Sequence, residues 1–96
     1  MKTHELKTIN PHFTLVWSGL KTFELRKNDR GFQVGDHLRL MEYDPAANKF
    51  TGSEIWARVK HILHGGEYGL DPNYCILSIQ AYKRTGPASN FLHIAT

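Results

Sequence analysis

The ten residues from Lys21 to Arg30, KTFELRKNDR, hold the densest set of chemically capable side chains in the sequence. Lys21, Arg26, Lys27 and Arg30 stand there with Glu24 and Asp29, and only Phe23 and Leu25 are apolar enough to hold a strand against a core. Charges crowded onto one short strand repel and desolvate one another unless a ligand or a pairing network satisfies them. Glu24 and Arg26 lie two apart, so on a strand they share a face at about 7 Å. One reading is a same-face salt bridge that contributes little if exposed. The other has Arg26 holding a phosphate or carboxylate bidentately while Glu24 orients Lys21 or a water. Lys21 follows a helix C-terminus, where it either meets the negative end of the helix dipole or serves as a phosphate ligand or base.

Further candidates lie around this stretch. Lys7, Lys27 and Arg30 form either a basic rim for backbone phosphates or a solvated charged face. Arg39 and Tyr43 point outward on the next strand, where Tyr43 is placed to stack on a base. Trp56 has outward parity beside Arg58, as a second stacking site or a satellite core residue. The loop HGGEYGL offers Glu67 and Tyr68 on a glycine-rich backbone able to approach a ligand closely. Six histidines invite a metal argument. His61 and His64, three apart, fall on opposite faces of a strand, and no Cys pair or His-x-x-x-His accompanies them, so no preformed metal site is expected. A loosely held Mg²⁺ or Mn²⁺ on Glu24 and a substrate phosphate is compatible with the residues, and no other cofactor is implied. His4 is expected near the cleft as a hydrogen-bond partner.

The elements that must position these residues read in order. Residues 4–9 form a first strand. Asn10-Pro11 starts a helix, with Asn as N-cap and Pro at the first helical position. Phe13, Val16, Trp17 and Leu20 follow at offsets of three, four and seven, one helical face. Gly19 sits at a left-handed C-cap, after which Leu20 is expected to fold back onto Leu15. From Thr22 the period becomes two: Phe23 and Leu25 are expected inward, with Thr22, Glu24 and Arg26 outward. Val34-Gly35-Asp36 is a tight turn. His37 to Tyr43 is a strand with Leu38 and Leu40 inward. Residues 44–52 read as a hairpin connection, and Glu54 to Leu63 as a long strand with Ile55, Ala57, Val59 and Leu63 on one face. Asp71-Pro72-Asn73 is another turn, and Tyr74 to Tyr82 a last apolar strand with Cys75 in the core. Residues 85–96 turn to Thr, Gly, Pro, Ser and Asn and read as a flexible tail. One helix and four or five strands at hairpin spacing make a small curled antiparallel sheet or partial barrel, with the helix covering one opening.

The run Ser18 to Arg26, SGLKTFELR, resembles the G-x-K-x-x-E-x-R signature of ASCH domains, a branch of the PUA-like superfamily. Val34-Gly35-Asp36 agrees with that family. HELK, RKND-R-x-F-x-VGD, EYDP, FTG and ILHGGEYGL resemble a small bacterial and bacteriophage subgroup of it. The likeness runs from His4 to Tyr82. It implies an α+β fold: a small PUA-like antiparallel β-barrel over residues 1–84, with one N-terminal helix at its mouth and a cleft between. The family is associated with RNA binding, with ribonuclease activity in some members, and with removal of an acetyl group from N4-acetylcytidine in one branch. That branch resembles a Lys–Thr–Glu arrangement with threonine three residues after the lysine, where this chain has Glu24. Thr22 is the nearest substitute, and a threonine nucleophile is put in doubt. A second carboxylate comes from later in that branch, which makes Glu67 the candidate here.

The 96 residues suit one domain, and a net charge of +3 permits nucleic-acid binding without requiring it. A single cysteine excludes an internal disulfide and fits a reducing compartment. No apolar run approaches the roughly 20 residues that span a bilayer, and the N-terminus carries no hydrophobic signal region, so a cytoplasmic protein without membrane contact is expected. Three functions follow. The first is a binding domain for RNA or a modified nucleotide, built on Lys21, Glu24 and Arg26 with Lys7, Lys27, Arg30, Arg39 and Tyr43 extending the surface. The second is a hydrolase acting on RNA or on an N4-acylated cytidine, with Lys21, Glu24, Arg26 and Glu67 catalytic. The third is a protein-interaction module of a mobile element. The sequence leaves the oligomeric state open.

Overall fold

The computed structural model describes residues 1–88. Five strands and one short helix follow in the order β1 (Thr3–Thr8), α1 (His12–Trp17), β2 (Phe23–Lys27), β3 (His37–Asp44), β4 (Lys49–His64) and β5 (Tyr74–Thr85). They make one curled half-barrel sheet with strand order β1-β3-β4-β5-β2. The sheet is not wholly antiparallel as expected: β1 runs parallel to β3, with Leu6 beside Leu40. A parallel neighbour needs a crossover, and the segment containing α1 and β2 supplies it.

The alternation of β3 places Leu38 and Leu40 in the core, joined by Ile55, Ala57 and Val59 of β4 and Cys75, Leu77 and Ile79 of β5. Beyond Val59 the expected face changes. A register shift between Val59 and His61 inserts a residue, so Ile62 enters the core and Leu63 turns outward. Burial and, secondarily, the charge of Asp29 push the Cys75 thiol above its ordinary range, as suits a core cysteine.

Helix α1 buries Phe13, Val16 and Trp17 and packs against β5, to which the Trp17 carbonyl is tied by Arg84 Nε at 2.7 Å. Pro11 is the residue before the helix and not its first member, so Asn10 reaches past it and accepts from Thr14 N at 3.0 Å and Thr14 Oγ1 at 2.7 Å. Gly19 takes the left-handed conformation at φ 82°, as expected of a helix end. Leu20 does not fold back onto Leu15; it is 80% exposed.

The outer strands of the sheet, β1 and β2, carry no ladder between them. Arginines bridge the gap. Arg26 Nη1 donates to Lys7 O at 3.2 Å, and Arg30 Nη1 to Glu5 O at 2.8 Å. In a strand paired on one side, alternate carbonyls face the free edge. Guanidinium groups here cap two that the sheet leaves open. At the other end, β5 continues to Thr85, and Ala88 N donates to Ser53 Oγ at 2.7 Å. Residues 85–88 of the expected tail therefore rest on the sheet, while residues 89–96 lie outside the described residues.

Candidate functional site

Strand β2 has the reverse of its expected facing. Glu24 is only 3% exposed, while Phe23 and Leu25 are 46% and 51% exposed. An alternation of apolar and charged residues fits either face equally by period. It is resolved here because the inner face of β2 borders a cavity and not the packed core, so the polar pair turns inward. Beside it, β1 turns Thr8 inward in the same way.

The cavity holds about 250 Å³ and is lined by Lys7, Thr8, Ile9, His12, Lys21, Glu24, Leu25 and Arg26. Three elements meet at it: the end of β1, the start of α1 and strand β2 with the residue leading into it. Lys21 is placed by the helix end, its N–H donating to Leu15 O at 3.0 Å. Its ammonium donates to His12 Nδ1 at 3.0 Å and lies 5.1 Å from the centre of the Phe23 ring. An ammonium has no acceptor, so His12 presents a lone pair at Nδ1. Lys21 also borders a smaller cavity of about 160 Å³ with Val16, Gly19, Thr22, Ile79, Gln80, Ala81 and Arg84.

Glu24 and Arg26 form a part-buried pair. Both Nε and Nη2 of Arg26 reach Glu24 Oε2 at 3.0 Å. Arg26 Nη2 also donates to Thr8 Oγ1 at 3.1 Å. Glu24 Oε1 is buried and has no partner among the described residues. A carboxylate held on one oxygen and bare on the other is the outstanding feature of the site, because buried acceptors are nearly always paired.

The remaining candidates divide. Lys7 lines the cavity, and its ammonium lies 4.4 Å above the Tyr43 ring, which packs edge-on against Phe50 at 5.0 Å. Tyr43 is therefore at the cavity's margin through Lys7, with its hydroxyl on Asn48. Lys27 is exposed at the end of β2. Arg30 is engaged by the β1 carbonyl, with Asp29 at 3.9 Å. Arg39 lies outside the cavity, ion-paired to both Glu5 and Glu54 and 5.8 Å from the Trp56 ring. The hydrogen bonds it donates to Glu54 and Glu5 hold its charge more firmly than usual. It is not an unpaired cation awaiting phosphate. Glu67 sits in the exposed loop after β4 and does not line the cavity, so it is not brought to Lys21, Glu24 and Arg26. Thr22 borders the smaller cavity and does not line the one that holds Glu24.

His4 does not face the cavity. It is buried against Phe32, and its Nε2 donates to Asp36 Oδ2 at 2.8 Å. Asp36 also accepts from Gln33 N at 3.0 Å and Lys2 N at 3.2 Å, joining β1 to the turn before β3. Burial alone would raise this carboxyl, but the bonds from His4, Gln33 and Lys2 and the His4 charge outweigh it, leaving the value below the ordinary one. Two site residues escaped the sequence reading. His12 carried a faint signal, two positions after Asn10-Pro11 at a helix start. Thr8 carried none beyond its parity on β1. Among the described residues no three His, Cys, Asp or Glu cluster as metal ligands, and no helix is long and apolar enough to cross a membrane.

A curled sheet with a charged cavity at its ladder-free edge thus defines the class of protein. The chain belongs to a family described as a domain of unknown function, DUF3850, whose model matches residues 3–79, a span that contains every residue lining the cavity of about 250 Å³. It is also 39% identical over 61 residues to the "Uncharacterized 12.9 kDa protein in GpA 3'region" of Escherichia phage P2. That alignment covers 64% of this chain and 54% of the phage protein, about half of its length.

Proposed function

We propose that the cavity binds a nucleotide unit, in RNA or as a modified nucleotide, within a PUA-like barrel of the ASCH type whose mouth α1 covers. Lys21 and Arg26 hold the phosphate, Lys7 and Tyr43 extend the surface along the strand, and Glu24 contacts the base or sugar. The observation that carries this reading is the convergence of Lys21, Glu24 and Arg26 on one cavity of about 250 Å³, two cations beside a half-paired carboxylate. A mild net charge of +3 fits contact with a few phosphates. Arg39 and Glu67 drop out of the proposed site.

A second reading is a hydrolase. Glu24 Oε1 lacks a donor beside the Lys21–His12 pair, an arrangement suited to a water-orienting carboxylate with a cation for the developing negative charge. One experiment separates the two. Short fluorescent single-stranded RNAs and modified cytidines are incubated with the protein and with Lys21→Ala, with and without Mg²⁺ or Mn²⁺. Saturable anisotropy that falls steeply with salt, weakens in the variant and leaves the RNA intact supports the binding domain. Turnover lost in the variant selects the hydrolase. Neither binding nor turnover refutes both.

A further inference from the structure

We infer that the cavity reads a base by its amino group: its ligand carries an exocyclic N–H donor beside a ring acceptor, as cytosine and adenine do and uracil and hypoxanthine do not. This deepens the nucleotide reading above and rests on it. Glu24 Oε2 receives a hydrogen bond from Arg26 Nε, with Arg26 Nη2 in ion-pair contact, while buried Oε1 receives none from the described residues. Arg26 does not cover the second oxygen, since Nη1 and Nη2 donate to Lys7 O and Thr8 Oγ1, and Nη1 keeps one further N–H for a phosphate. Lys21 gives one of its three N–H groups to His12 and none to Glu24, leaving the others for a phosphate. Oε1 thus has no donor among the described residues, and the cavity that Glu24 lines gives the N–H of a ligand a route to it. The last torsion of a glutamate is soft, so a small turn presents Oε1 to a ligand there.

Charge and geometry narrow the donor. Lys7, Lys21 and Arg26 outnumber Glu24 on the cavity wall, which disfavours a cationic ligand and favours a neutral N–H on an anionic molecule. Only one oxygen is open. The paired N1–H and N2–H of guanine engage two carboxylate oxygens, and one of these is already taken by Arg26. A single amino group next to a ring nitrogen matches instead: the amine donates to Oε1, and the ring nitrogen accepts from a neighbouring cation. Uracil N3–H and hypoxanthine N1–H are single donors too, but each stands beside a carbonyl oxygen that would be brought against the carboxylate. At about 250 Å³ the space is smaller than the pockets of drug-sized ligands, which suits one base and not a stacked pair.

The test is calorimetric titration of the full chain with CMP, AMP, UMP and IMP, and separately with tetranucleotides of cytidine and of uridine. CMP or AMP is expected to bind about tenfold more tightly than UMP and IMP, or the cytidine tetranucleotide than the uridine one. The first arm assigns free nucleotides and the second RNA. Glu24→Gln, of the same shape but able to donate, brings the preference to within about twofold without weakening UMP or the uridine tetranucleotide. If that variant does not fold, Glu24→Asp withdraws the oxygen while keeping the charge and is expected to lose the preference too. Equal affinity for all bases, with Lys21→Ala weakening each alike, overturns the amino-group assignment and leaves nucleotide binding standing. A preference for UMP or IMP also overturns it. No binding in either arm overturns both.

Discussion

Replacing Arg26 with methionine is expected to destabilise the fold far more than its exposed-strand sequence context suggests. The arginine supplies the one hydrogen bond that Glu24's carboxylate receives from the described side chains, Nε to Oε2 at 3.0 Å, with Nη2 in ion-pair contact at 3.0 Å. Without it a carboxylate 3% exposed is left uncompensated. Breaking a buried pair from one side costs about 3–5 kcal/mol. Arg26 itself is partly exposed, its side chain 22% open, so the lower end applies, about 3 kcal/mol. The lost bonds to Lys7 O and Thr8 Oγ1 act in the same direction. For a domain this size each kcal/mol moves Tm by roughly 4–8 °C, so a fall of about 12–24 °C follows. The assay is urea and thermal unfolding of Arg26→Met, Glu24→Leu and the double variant. Because the double variant removes both charges, it is expected to be more stable than Arg26→Met alone, with a coupling of about 1–3 kcal/mol. A loss below about 0.5 kcal/mol in Arg26→Met, or simple additivity of the two changes, would refute the buried pair and the facing of β2 with it.

Other consequences are open to direct measurement. Phe23→Thr, on the outward face of β2, is expected to cost less than about 1 kcal/mol in urea unfolding, whereas an inward Phe23 would cost about 3–5. Gly65→Ala puts a Cβ 2.0 Å from Asp71 O and 2.4 Å from Tyr74 O, both main chain, so the loop must shift; a loss of about 1–3 kcal/mol is expected, and a neutral result contradicts the loop packing. Asp36 binds its proton less readily when folded than when unfolded, so its contribution is present above the ordinary carboxylate value near 3.9 and is lost as pH falls through the depressed folded value. Stability measured from about pH 5 to pH 2 should fall less steeply in Asp36→Asn than in the native chain, and an unchanged slope would count against the His4–Asp36 linkage.

Much of the architecture is legible in local pattern. Leu38 and Leu40, then Ile55, Ala57 and Val59, alternate cleanly, and the apolar face of α1 follows from Phe13, Val16 and Trp17. Three features are not legible, each for a physical reason. The parallel pairing of β1 with β3 is a long-range choice that no local period encodes. The shift at Val59–His61 inserts one residue, and in a strand one residue exchanges the faces, which moved Ile62 inside and Leu63 out. On β2, Phe23 and Leu25 alternate with Glu24 and Arg26, and period two cannot say which pair turns inward; the adjoining cavity decides it. The grouping of Lys21, Glu24 and Arg26 survives that inversion, because Glu24 and Arg26 share a face whichever way the strand turns and Lys21 enters from the helix end. His12 and Thr8 come to them only through the fold.

Mapping ¹H–¹⁵N shifts of the whole chain during titration with a short single-stranded RNA tests the proposed binding site most directly. The account predicts saturable changes that are largest at Lys7, Thr8, His12, Lys21, Glu24 and Arg26 and are lost in Lys21→Ala. Changes centred on Arg39 and Trp56, or none at saturating RNA, would contradict it.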